Sequence, residues 1–490
     1  MACLPLLVLF DLAEAPDRLL DPRNLELLLS TAVLTVSATA GAVLLGVPLA
    51  FLSTCVRPPW HRVWLVLFAA PLALPSYLGA FTAYAAFGPG GEIVRVFGVS
   101  TPRLYGLAGG ALIMALYTYP FVLLTTRAAL LGLDASLVSA ARTLGLPLWR
   151  CLLSIVLPRI YSAITAGALL AALYTLSDFG TPAIMGVDTF TRLIYVEYNA
   201  FGLPRAALLS LQLLALVGLV LFVESRMRAR AERPGQTLQL WPSRTRVVAC
   251  LALAAPITLM AIGLPLAVFG LWLWREGAGG FDPGIAWNSM LIALIAALAA
   301  VLLALPVAQA AQAGPFGRLL ERISYFGFGV PGIVMGTALV FVGLRLPALY
   351  QTFTLLILGY ACRFLPLAVG AIRSSTERLE SGITNAARSL GAPPREVFMR
   401  ITLPLTLPGV LAGAALVFLE VMRELPTTLL LAPTGFETLA TYLWRVYEAG
   451  YFGRAAIPGL MLVLMSAFGL ALILTGERRA EFAVSQGEGQ

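Results

Sequence analysis

The chain has 490 residues, 59% of them hydrophobic and 12% charged, with a mean hydropathy of +0.88. A soluble globular domain carries roughly a quarter charged residues, so this composition excludes that class and indicates an integral membrane protein. The net charge of +8 comes from arginine alone, because all 33 basic residues are Arg, and a G-x-x-x-x-G-K-[ST] nucleotide loop, which needs a lysine on the phosphates, is therefore excluded.

The basic charge sorts by membrane side instead of gathering in one patch, which argues for orientation and against nucleic acid as a partner. The five cysteines (Cys3, Cys55, Cys151, Cys250, Cys362) show no C-x-x-C spacing and His61 is the single histidine. Neither a metal site nor a disulfide framework is indicated. With no His/carboxylate or Cys/His constellation, enzyme catalysis has little chemistry to draw on.

The chain starts with "MACLPLLVLF", ten residues that are too few to span, followed by "DLAEAPDRLLDPRNLE" with five acids against two Arg. That acidic stretch belongs outside, so a first outward helix is about half missing: either a degenerate short span or a start lying upstream. A cleaved signal peptide is disfavoured by the absence of a basic n-region. Apolar runs of roughly 20 residues, enough to cross about 30 Å of hydrocarbon as helix, then follow at 30–54, 63–87, 104–126, 160–186 and 204–223. The segment 224–246, with six Arg and two Pro, reads as a cytoplasmic linker, and further runs lie at 247–273, 287–308, 322–343, 347–371, 405–431 and 455–475. The expected fold is all-α and integral to the membrane, with eleven full spans, or twelve with the short first one. Two transmembrane domains, 1–223 and 247–475, flank the linker, and 476–490 forms a cytoplasmic tail.

Placing the polar segment 386–404 in the cytoplasm and alternating the spans gives the cytoplasmic segments 21 Arg and 10 acids, and the external segments 10 Arg and 12 acids. This agrees with the positive-inside bias. Arg363, Arg423, Asp178, Glu420 and Glu424 remain within the spans.

The two domains are copies of one another. A shift of 246 residues lays Pro120 on Pro366, Arg127 on Arg373, "AARTLGLP" (140–147) on "AARSLGAP" (386–393), Gly167-Ala168 on Gly413-Ala414, and Asp178 on Glu424. Upstream the shift becomes 256, pairing Pro75 with Pro331, so the first copy holds about ten extra residues in the external loop 88–103. Both polar motifs fall in the cytoplasm, so the repeats are parallel, unlike the inverted repeats common in secondary transporters.

Each motif reads A-A-R-[TS]-L-G, nine residues, then I-x-L-P. The small pair suits a helix, the glycine a stop with positive φ, and "APPREVFMR" a restart with Val397 and Phe398 on its apolar face. Pro404 would then open the next span. A small-residue helix with a fixed bend, present twice on one side, suits insertion into a partner's groove better than an amphipathic rest on lipid.

With "SAARTLG…IVLP" (Ser139 to Pro158) and "NAARSLG…ITLP" (Asn385 to Pro404) in place, the chain resembles the permease subunits of binding-protein-dependent ABC importers over nearly its whole length. Their pattern is E-A-A, three residues, G, nine residues, I-x-L-P; here Ser139 and Asn385 replace the acid, which removes any salt bridge that the acid makes. The resemblance implies a bacterial inner-membrane, multi-pass protein that binds no cofactor itself. ATP would be used by two separate ATP-binding subunits, a homodimer, docked on Ser139, Ala140, Ala141, Gly145, Asn385, Ala386, Ala387 and Gly391. A periplasmic or extracellular binding protein would deliver the cargo, and lipid would surround the spans.

The fusion of both halves, with "LSDFGTPAIMGVDTFTRLIY" (176–195) and "VMRELPTTLLLAPTGFETLATYLW" (421–444) after the motifs, resembles the ferric-iron branch; thiamine, phosphonate and polyamine permeases are similar. Ionisable groups in a membrane face a pathway or one another, which makes Asp178, Glu420, Arg423 and Glu424 pathway candidates. Asp178 and Glu424, as repeat equivalents, would face across the axis as hard oxygen ligands for a trivalent cation. The structural alternative pairs Glu420 with Arg423 at i, i+3 and has Asp178 and Glu424 cap locally. The external segments 191–202 and 440–453 are aromatic-rich, either interface anchors or a dock for the binding protein through Tyr195 and Trp444.

Overall fold

The computed structural model describes residues 4–13, 21–56, 60–99, 101–226, 244–277, 280–377 and 381–467. Most of the expected linker and all of the expected tail lie outside these. The described residues form helices and turns with no strand. In chain order the helices are α1 (Leu4–Leu12), α2 (Pro22–Val56), α3 (His61–Ala73), α4 (Ser76–Phe87), α5 (Glu92–Phe97), α6 (Gly106–Gly132) and α7 (Ser136–Thr143). Then come α8 (Leu148–Ser177), α9 (Gly180–Ile184), α10 (Phe190–Asn199), α11 (Leu203–Arg226), α12 (Ala254–Glu276), α13 (Pro283–Ala313) and α14 (Pro315–Gly329). The last are α15 (Gly332–Arg345), α16 (Phe353–Glu377), α17 (Ser381–Ser389), α18 (Arg395–Met422), α19 (Pro426–Leu431), α20 (Leu439–Glu448) and α21 (Phe452–Ala467).

Among the described residues, eight helices are long and apolar enough to cross a membrane, and two bent pairs bring the number to ten. Four of the expected continuous spans are interrupted. The span expected at 63–87 bends by 92° between α3 and α4, and the one at 322–343 by 106° between α14 and α15. Each bend sits at a proline: Leu74 and Val330 take extended backbone before Pro75 and Pro331, because the proline ring disfavours helical geometry in the preceding residue. The spans expected at 160–186 and 405–431 end at Ser177 and Met422, and each is followed by a short separate helix.

The same trio builds the core of each half: α2, α6 and α8 pack together in the first, and α13, α16 and α18 in the second. Close approach depends on the repeated glycines. A Cβ on Gly167 would lie 2.6 Å from the Val122 Cα, and one on Gly413 would lie 3.0 Å from the Ala368 Cα; Val122 and Ala368 are themselves equivalent under the 246-residue shift. Lipid tails supply no hydrophobic drive between helices, so contact of small residues is what holds such pairs.

The halves interlock at their first helices. The nine-residue α1 packs against α15 of the second half, and α12, which opens the second half, packs against α4 of the first. A single buried carboxylate ties the second contact: Glu92 accepts from Trp272 Nε1 at 3.1 Å and from Arg275 at 2.7 Å.

Candidate functional site

The two repeated motifs share one local build. α7 starts from Asp134, whose carboxylate accepts from the Ser136 backbone N–H at 2.9 Å and the Ser136 hydroxyl at 2.8 Å. These bonds, the backbone one first, hold the Asp134 carboxyl below its ordinary range. The helix carries Ser139, Ala140 and Ala141 and stops at Gly145, with φ +87°. The closing bonds run Leu144 N–H to Ala140 O, Gly145 N–H to Arg142 O and Leu146 N–H to Ala141 O. In the second half Asn385, Ala386 and Ala387 lie on α17, Gly391 has φ +86°, and the three bonds recur at the same spacing. Positive φ is open to glycine without a Cβ penalty.

The tip of each bend carries a residue that motif reasoning passed over. Leu144 is 82% exposed and Leu390 is 89% exposed; their position between arginine and glycine was legible, but not their direction. Val397 is buried and Phe398 half-buried, as expected of the restarting helix. Pro404 does not open the next span. It lies inside α18, which starts about ten residues earlier, and wide π turns at Leu152–Val156 and Phe398–Thr402 precede Pro158 and Pro404. Such a turn relieves the clash between a proline ring and the preceding helical turn.

Three of the four chain breaks line a cavity of about 80 Å³ between the halves, whose wall includes Ser76, Tyr77, Tyr174, Ser177, Asp178, Arg363, Glu420, Arg423 and Glu424, and the fourth lies behind it, where Gly332 adjoins Arg363 and Glu424. All four sequence-derived pathway candidates are therefore brought together, joined by Arg363, Tyr77 and Tyr174. The intramembrane charge of Arg363 was the available signal for it; the tyrosines gave none.

The charges also repair the breaks. Arg423 pairs with Glu420 on its own helix, as their spacing predicts, and donates across the molecule to Leu72 O at 2.8 Å and Ala73 O at 3.2 Å. Those carbonyls end α3 and have no further turn to bond. Glu424 accepts from the Thr427 N–H at 3.0 Å and the Thr427 hydroxyl at 2.6 Å, capping α19, and Asp178 likewise accepts from the Thr181 N–H at 3.1 Å, capping α9.

The equivalence of Asp178 and Glu424 ends there. Arg363 donates to Glu424 at 2.5 Å, and the Glu424 side chain is 7% exposed. At the matching place in the first half stands Tyr117, which donates instead to Ala261 O at 2.8 Å. Gly332 makes room for the ion pair, since a Cβ there would lie 1.7 Å from the Arg363 guanidinium. The expectation of two equivalent carboxylate ligands is thus corrected: Glu424 is claimed by an arginine that its counterpart lacks.

Tyr195 and Trp444 meet each other across the halves. Trp444 is 6% exposed; its Nε1 donates to the Tyr195 hydroxyl at 3.3 Å, and both rings rest on Phe179 with centroids 4.8 and 4.9 Å away. The apolar faces of α10 and α20 turn inward and close an aromatic layer between the halves, beside the residue that follows Asp178. If this layer parts during transport, a reducible bifunctional cross-linker between Tyr195→Cys and Trp444→Cys, in a background without other cysteines, should stop uptake. Reduction should restore it; unchanged uptake in fully cross-linked protein would show that the layer stays shut.

Comparison with known proteins agrees with this two-fold plan. The family described as binding-protein-dependent transport system inner membrane component matches residues 42–232 and again residues 300–480. The chain is 32% identical to the Fe(3+)-transport system permease protein FbpB 2 of Haemophilus influenzae, over 96% of this chain and 95% of that protein. It is 25% identical to the inner membrane ABC transporter permease protein YnjC of Escherichia coli, over 92% and 88%. To the sulfate transport system permease protein CysT of Escherichia coli it is 28% identical, over 38% of this chain and 70% of that one.

Proposed function

The chain belongs to the family of binding-protein-dependent transport system inner membrane components, and on that premise we propose that it carries ferric iron across the bacterial cytoplasmic membrane. It is an ABC importer permease, a transport channel and not an enzyme, and the family brings ATP-binding subunits and a substrate-binding protein as partners. That membership also sets aside a secondary transporter, the other class of carrier that a duplicated bundle of membrane helices could form.

The ferric reading rests on one observation: the match to an Fe(3+)-transport permease runs through both halves at 32% identity, above the 25% of the comparably long match to YnjC, whereas the match to a sulfate permease covers 38% of the chain. In this reading 1–223 and 247–475 are fused permease domains joined by the linker 224–246, and 476–490 is a cytoplasmic tail. Two copies of one ATP-binding subunit seat on the motifs, with Ser139, Ala140, Ala141 and Gly145 in one groove and Asn385, Ala386, Ala387 and Gly391 in the other. The chain holds no cofactor of its own, and lipid surrounds the spans.

ATP draws the two subunits together and the paired motifs with them. Because α8 and α18 run without a break from just past the bends to the cavity, a shift at the motifs moves the chain breaks where Asp178, Glu420, Arg423 and Glu424 stand. Discontinuous helices around a central site are a common way to let a membrane protein bind and release a polar cargo. Access then alternates as the halves rock about this point.

The test is ATPase stimulation in vesicles holding the assembled transporter and its binding protein, with ferric iron, thiamine, 2-aminoethylphosphonate and spermidine supplied separately. Ferric iron should stimulate and the organic ligands should not. Stimulation by one of them and not by iron would transfer the assignment to thiamine, phosphonate or polyamine.

A further inference from the structure

The cavity between the halves has two unlike walls. On the second-half side its charges are spent: Arg363 holds Glu424, and Arg423 holds Glu420 and the end of α3. The first-half side offers oxygen atoms, from Ser76, Tyr77, Tyr174, Ser177 and Asp178. Asp178 has no basic partner among the described residues, so of the three carboxylates lining the cavity it alone is left without a guanidinium.

Tyr77 is the second observation. It is 7% exposed, lines the cavity, and its hydroxyl has no hydrogen-bond partner among the described residues. A buried polar group left so calls for an explanation. The chain holds it there closely: a Cβ on Gly180, two residues beyond Asp178, would lie 2.4 Å from the Tyr77 Cβ. In the other half the matching positions are Gly332, Ile333 and Pro426 in place of Ser76, Tyr77 and Gly180, so the arrangement exists once.

We infer that the Tyr77 hydroxyl and the Asp178 carboxylate form a one-sided coordination point for a hard trivalent cation in transit, while the second half supplies a fixed, charge-neutral wall. The inference rests on the ferric reading of the same cavity and assigns the ligand atoms. Phenolate and carboxylate oxygens are hard donors suited to such an ion, and the phenol proton is released to water on coordination. Among the described residues no group of three His, Cys, Asp or Glu could cage a metal. That suits a passing cargo, which must bind well enough to enter and weakly enough to leave.

The test uses the assembled transporter with its binding protein in vesicles, with Fe³⁺ and the redox-inert Ga³⁺ as probes. Tyr77→Phe keeps the ring packed and removes only the hydroxyl; it should lower uptake of both ions at least tenfold, with assembly and ATP hydrolysis retained, and Asp178→Asn should do the same. As an independent readout, the transporter without binding protein, given Fe³⁺ as its nitrilotriacetate chelate, should develop a visible phenolate-to-iron absorption that Tyr77→Phe lacks. Wild-type uptake of iron together with unimpaired uptake and unchanged absorption in Tyr77→Phe would overturn the coordination point and leave the ferric reading standing. A wild type that moves neither ion but is stimulated by another cargo would overturn both.

Discussion

Arg363→Met should be the most damaging single substitution in the membrane interior. It strands the Glu424 carboxylate, 7% exposed and, among the described residues, otherwise held by Thr427 alone. Breaking a buried ion pair from one side costs about 3–5 kcal/mol, whereas replacing both partners by apolar groups of similar volume is often neutral. The single variant should therefore give little intact transporter and a lower melting temperature in detergent, and Arg363→Met with Glu424→Met should recover both. A double variant as unstable as the single one would show that the pair does more than neutralise itself. Gly332→Ala should mimic the single variant from the other direction, because the added Cβ meets the guanidinium.

The second large effect is expected at the motif tips. Leu144→Asp together with Leu390→Asp should abolish copurification of the ATP-binding subunits and reduce cargo uptake to background, with the permease still inserted and folded. Both side chains are almost fully exposed and the local backbone is closed by its own hydrogen bonds, so folding has little stake in them. Burying a leucine in a partner's groove contributes about 1.5–3 kcal/mol, roughly a ten- to hundredfold change in affinity at each dock. Either substitution alone should leave partial activity, because the other dock remains. Full activity in the double variant would place the grip elsewhere, on the alanine faces or on the restarting helix.

The motifs and their repetition were readable without coordinates, and for a physical reason: the bend is made by local rules. A small-residue helix, a glycine where φ must be positive and a fixed distance to a proline carry their geometry in the order of residues, and the same three closing bonds form in both copies. The helical membrane class, the two-fold repeat and the pairing of Glu420 with Arg423 were legible on the same basis, from hydropathy, internal similarity and helical spacing. The prolines at 75 and 331 are visible as repeat partners, but the bends they impose are not. A hydropathy window rewards apolar residues whether or not the helix runs straight, so bent and interrupted spans read as continuous ones.

What the sequence by itself determined is the kind of machine: membrane-embedded, duplicated and lysine-free, so without a nucleotide loop of its own. What only the tertiary structure decided is which charges are free. Repeat symmetry made Asp178 and Glu424 equals, and nothing along the chain says that Arg363, 61 residues from Glu424, folds back to claim one of them. Likewise, aromatic content could not tell that Trp444 meets Tyr195 across the halves, instead of facing outward. Ion pairing and burial depend on distances between residues far apart in the chain, and in a low-dielectric interior those distances decide whether a carboxylate is a ligand or a brace.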